Sequence, residues 1–179
     1  MSAGTILRIS VVVFAAALFQ GSIVSTIPIH GGTADLLLVT VIALGLVRGS
    51  VAGAVSGFAG GIVLDLLTLD TLGITSLVLV LAGFWAGRYA ETTGRGNRYA
   101  PLLAVGMLTP LAALFAFAVH YMLGDAVVAR YALVTSLLPA LVLNLVLALP
   151  VHALVRRIVG QPPAERLSEV EVVVYRPVP

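Results

Sequence analysis

Apolar residues run along this chain in long blocks, separated by short polar or glycine-rich breaks instead of alternating with them. The first block is about Ile9–Ile27 and closes at Pro28-Ile29-His30-Gly31-Gly32. The second, about Leu36–Val47, ends at Arg48-Gly49. The third, about Ser50–Leu67, stops at Thr68-Leu69-Asp70. The fourth, about Gly73–Ala86, runs out at Gly87-Arg88-Tyr89, before a polar link at Ala90–Asn97. The fifth is about Ala100–Leu123, and Gly124-Asp125 parts it from the sixth, about Tyr131–Val155. A bilayer crossing takes about 20 apolar residues as helix, so the pattern predicts an all-α integral membrane protein with six transmembrane helices. The second block is short, about a dozen residues or roughly 18 Å of helix. It spans if its helix starts earlier, near Ile29–Ala34, or if the protein is locally thin. A helix running on through Arg48 would leave a guanidinium near mid-membrane, which is costly, so a hairpin at Arg48-Gly49 is expected.

The charges give these six helices an orientation. With the N-terminus inside, the inner segments hold Arg8, Arg48, Arg88, Arg95, Arg98, Arg156, Arg157, Arg166 and Arg176, against Arg130 alone outside. Nine against one is the positive-inside asymmetry, and it places both termini in the cytoplasm. All four Glu also fall inside, whereas Asp35, Asp65, Asp70 and Asp125 lie at or near the outer boundary. Trp85, Tyr89 and Tyr99 at the inner level, with Tyr121 and Tyr131 at the outer, fit interfacial aromatic belts. A cleaved signal peptide over residues 1–22, with Ala15-Ala16-Ala17 as the small-residue site, is the competing reading of the first block. The single Arg and the long apolar run speak for a span. The expected division is a six-helix membrane domain over residues 1–157 and a cytoplasmic tail over 158–179.

Composition agrees with the pattern and narrows the chemistry. Of 179 residues 60% are apolar and 10% charged, with a mean hydropathy of +1.11. A soluble domain carries roughly 25% charged residues to wet its surface, so lipid must be the solvent for most of this chain. There is no cysteine, which excludes disulfides and thiolate chemistry. The net charge of +2 comes from Arg without any Lys, and no basic stripe on a soluble face points to nucleic acid. No metalloprotease, P-loop or nucleophile-elbow motif occurs, so no enzyme, metal or cofactor is expected.

The third block carries the strongest pattern. Gly49, Gly53, Gly57 and Gly61 recur every fourth residue, Asp65 is the next step, and Ala52, Ser56 and Gly60 run beside them. In a helix such positions share a face, and in lipid small faces let backbones approach closely. Two readings stay open: packing inside the chain, with Gly83 and Gly87 of the fourth block as mates, or a docking face for a partner's helix. Asp65 also has two readings. It is a functional intramembrane carboxylate, or it caps the turn at Thr68-Leu69-Asp70. Asp35, Arg48 and Arg88 complete the candidate functional polar residues. Gln20 and Asn144 are expected to hydrogen-bond between helices, His120 and His152 lack metal-ligand spacing, and Pro110 and Pro139 are expected to kink their helices.

Together Ala34-Asp35-Leu36-Leu37-Leu38, Arg48-Gly49, the glycine series, Leu64-Asp65-Leu66, Gly73 and Gly83-Phe84-Trp85-Ala86-Gly87-Arg88 resemble the MreD family of rod-shape-determining proteins. The matching pattern covers about residues 34–88, with Ala34 where the family has proline. The resemblance implies a non-catalytic inner-membrane scaffold of the bacterial cell-wall elongation, or rod, complex. It implies association with the bitopic protein MreC and, through the complex, with the MreB filament. A SEDS-type glycosyltransferase and a class B penicillin-binding protein belong to the same machinery. The implied fold is similar to the substrate-binding subunit of energy-coupling-factor vitamin transporters. That likeness supplies the alternative, a small-molecule-binding transporter subunit. Such subunits meet their coupling protein through small residues of the first span, here Ala17 and Gly21, and hold ligand in an outward pocket, here His30, Asp35, Asp70, His120, Tyr121 and Tyr131. In the tail, Gln161–Glu165 reads as a linker. Glu169–Tyr175 reads either as a strand for a partner's sheet edge or as part of a disordered tail.

Overall fold

The computed structural model describes residues 3–22, 34–69, 72–93, 99–123 and 126–160, and only the backbone over 126–136. The sequence expectations for His30, Asp70, Arg95, Arg98, Asp125, the side chains of Arg130 and Tyr131, and the tail from residue 161 lie outside these. Among the described residues six helices are present: α1 (Ala3–Ser22), α2 (Leu36–Arg48), α3 (Ser50–Thr68), α4 (Ile74–Thr93), α5 (Ala100–Met122) and α6 (Ala126–Val159). Four stretches among the described residues are long and apolar enough to cross a membrane: α1, α3, α5 and Leu137–Val159 of α6. The other two fall short for different reasons. Helix α2 has 13 residues, and α4 carries Arg88 and Glu91 in its last turns.

Helix α2 is the axis of the fold. It touches each of the other five helices, and every residue from Leu37 to Val47 is buried. A helix apolar all round belongs inside a bundle, and α2 has almost no polar side chain to turn outward. It does not extend back through Ala34; Asp35 stops it as N-cap, accepting a hydrogen bond from the Leu38 N–H. At about 20 Å it is shorter than the hydrocarbon thickness of about 30 Å, so its N-terminus is sealed by neighbouring helices.

At the other end of α2, Gly49 alone separates it from α3. Its φ of 97° lies in the left-handed region that side chains disfavour, and its carbonyl starts α3 by accepting from the Gly53 N–H. The hairpin expected at Arg48-Gly49 is therefore present. Helix α3 runs back along α2, with Gly60 facing Leu37 and Gly53 facing Gly45.

Several boundaries differ from the hydropathy pattern, among them the starts of α1 and α6, which lie ahead of their apolar blocks. Residues Ala90–Thr93 are not a link but the last turn of α4, held by an Arg88–Glu91 ion pair at 3.3 Å and by the Thr92 hydroxyl donating to the Arg88 carbonyl. Helix α6 continues to Val159, past the apolar run that ends at about Val155, and stops at Gly160, whose φ is 70°. Helix α5 runs unbroken through Pro110, and α6 through Pro139 and Pro150.

Candidate functional site

Helix α3 turns small residues toward its neighbours on two sides. Gly53, Gly57 and Gly61 face α4: a β-carbon on them would strike the backbone of Gly83, Leu79 and Ser76 in turn. From the other side, Gly83 meets the Gly53 carbonyl, and Gly87 meets Gly49 and Ser50. This is an antiparallel backbone-on-backbone seam of the kind that small residues permit in lipid. Gly60, in the parallel row, faces Val13 of α1 and Leu37 of α2. One member escapes the sequence reading. Gly45 of α2 enters the same seam, since a β-carbon there would lie 2.5 Å from the Gly83 carbonyl oxygen and 3.0 Å from the Gly87 nitrogen. The signal was present, because Gly45 is one step before Gly49 in the every-fourth-residue series; the chain break at Arg48-Gly49 hid it.

Asp65 ends the seam and is 1% exposed. Its Oδ2 accepts from the Gly73 N–H at 2.7 Å, and its Oδ1 has no partner among the described residues. Gly73 immediately precedes α4, so this carboxylate on α3 clips the start of the next helix. Leu69 between them is left-handed, φ 54°, and its N–H reaches the Asp65 carbonyl.

A second polar group surrounds the N-terminus of α2. Gln20 of α1 donates to the Ala34 carbonyl at 3.1 Å and accepts from the Leu36 N–H at 2.8 Å. Asn144 of α6 accepts from the Asp35 N–H at 2.7 Å, and its amide lies 3.4 Å from the Thr109 hydroxyl of α5. Helix starts leave unsatisfied N–H groups, and inside a membrane each of those is expensive. Here α1, α5 and α6 converge to meet that need, so Gln20 and Asn144 are interhelical hydrogen-bonders.

The opposite end gathers cations. Arg48 donates to the carbonyl of Val159, and Arg8 reaches that of Ile158 at 3.5 Å. Both guanidinium groups sit at the C-terminus of α6, whose last carbonyls carry partial negative charge. Close by, Glu91 accepts from the Ser50 N–H at 2.9 Å and the Ser50 hydroxyl at 3.0 Å, tying the end of α4 to the first turn of α3. Those bonds, the backbone one foremost, hold the Glu91 carboxyl below the usual carboxylate range. Glu91 was missed because the hydropathy pattern put it in a loop.

No hydrogen bond or ion pair joins any two of Asp35, Asp65, Arg48 and Arg88 among the described residues; each serves a different helix end. No group of three potential metal ligands occurs among them either. Each of these four thus has a partner: Asp35 caps its own helix and Arg88 pairs within its own, while Asp65 ties α3 to the start of α4 and Arg48 ties α2 to the end of α6.

The family model for MreD, described as rod shape-determining protein MreD, matches residues 3–159. That match takes in all six helices. The chain belongs to the MreD family. Neither a curated protein nor a solved structure matches it. Membership in the MreD family makes this a rod-shape-determining multi-pass membrane protein, and its central features are those carrying the sequence resemblance: Asp35 at the start of α2, the glycine seam, and Asp65. Ala17 and Gly21, the small pair of α1, are turned inward in this MreD-family chain. Ala17 is fully buried, and Gly21 packs on Leu64 and Leu67 of α3.

Proposed function

We propose that the chain is a non-catalytic scaffold of the cell-wall elongation complex, crossing the cytoplasmic membrane six times with both termini inside. In this reading it holds an MreC-type bitopic protein and, through the assembly, a SEDS-type glycosyltransferase, a class B penicillin-binding protein and the MreB filament. The match to the MreD family over residues 3–159 carries the proposal. The geometry supports it, because the polar residues are spent on helix ends and registers, which suits a rigid body presenting lipid-facing surfaces. The transporter-subunit alternative draws less support. The small residues on α1 that such a subunit would offer a coupling protein are covered by its own helices.

Affinity purification of the full chain in mild detergent distinguishes the two. Recovery of an MreC-type protein with no small ligand is the expected result. A bound vitamin-type molecule with no MreC-type protein would overturn the scaffold reading.

A further inference from the structure

A groove of about 840 Å³ runs between α1 and α3. Its floor includes Ile9, Val13 and Ser56, and its lips are exposed apolar residues such as Phe14, Val51 and Val55. It extends from Ile6 to Leu18 on α1 and from Val51 to Val63 on α3, which is roughly 18 Å along either helix. Hydrocarbon about 30 Å thick gives each leaflet about 15 Å. The groove is therefore one leaflet long, whereas a partner's spanning helix would need a seam nearly twice that length.

Arg48 stands at one end of this groove and is the only charged residue lining it among the described residues. Its Nη2 reaches the Val159 carbonyl, and its buried Nε has no acceptor. No carboxylate pairs with it among the described residues, where the single ion pair is Arg88–Glu91. A guanidinium at the edge of hydrocarbon without an anion is costly. Arg8 sits beside it on the same helix end, adding a second cation. A smaller hollow of about 150 Å³ between α4 and α5, lined by residues such as Val78 and Phe115, has no charged lining residue.

We propose that this groove binds an anionic phospholipid, with an acyl chain lying along α1 and α3 and the headgroup phosphate at Arg48. A phosphate supplies the missing anion, and basic pockets between membrane helices hold such headgroups. The leaflet is the one at the Arg-rich end.

The test is native mass spectrometry of the delipidated full chain, titrated with phosphatidylglycerol or phosphatidylcholine. Wild type is expected to prefer phosphatidylglycerol, and Arg48→Gln to lower that preference by about fivefold. Because Arg48 also caps α6, a second variant leaves the charge in place. Ala15→Phe with Ala59→Phe fills the groove from two exposed positions and is expected to abolish the high-affinity phosphatidylglycerol peak while folding normally. Equal retention of the two lipids by wild type, or binding unchanged by the filled groove, overturns the proposal. So does a second copy or a stoichiometric partner helix that excludes lipid from the groove.

Discussion

At the scale of single residues, the question raised by Asp65 becomes narrower. Its environment is buried and its Oδ2 serves the Gly73 N–H. A cap needs only an acceptor, and an asparagine oxygen is one, while a charge needs a carboxylate. Asp65→Asn is expected to melt close to the wild-type temperature in detergent, because it keeps an acceptor for the Gly73 N–H. Asp65→Ala should lose about 1 kcal/mol, the net worth of one hydrogen bond. Equal damage from both would show that the carboxylate itself is required. The sequence made the position visible through its place in the glycine series. The N–H it serves was not visible, because that depends on where α4 begins, eight residues on.

At the scale of helix pairs, the glycine seam makes a contrast available within one molecule. A β-carbon on Gly57 collides with the Leu79 backbone, which cannot swing away, whereas one on Gly106 meets only Leu145 Cδ2 at an ordinary 3.7 Å. Gly57→Ala is expected to cost about 1–3 kcal/mol through overpacking. Gly106→Ala should be neutral or gain up to about 1 kcal/mol from helix propensity. Thermal unfolding of the two variants in the same detergent decides this, and equal stability would remove the seam from the account. The contrast also explains what was legible. Spacing found Gly53, Gly57 and Gly61 and gave them Gly83 and Gly87 as mates, because a four-residue period is a property of sequence. It missed Gly45, and it cut α4 short of Glu91. Hydropathy reads a polar last turn as loop, while Glu91 is fixed by Ser50 on another helix.

At the scale of the whole molecule, the described arginines converge in a way that hydropathy alone does not require. Arg8 and Arg48 meet the C-terminus of α6, Gly87 next to Arg88 packs on Gly49, and Arg156 and Arg157 lie in the last turn of α6. Asp35 and Asp65 occupy the other end, so the charge asymmetry read along the chain reappears as two poles of one body. If the arginine pole faces the cytoplasm, every helix connection alternates sides. The absence of cysteine makes that directly testable, because any introduced thiol is unique. Gly31→Cys and Gly124→Cys should react with a membrane-impermeant maleimide added to intact spheroplasts. Gly94→Cys and Ser168→Cys should react only after the membrane is opened. Labelling of Gly94→Cys from outside would break the six-span arrangement at α3–α4, where α4 is the least apolar of the longer helices. Inverted labelling at all four positions would keep the six crossings and reverse the poles, moving the lipid expected at Arg48 to the outer leaflet.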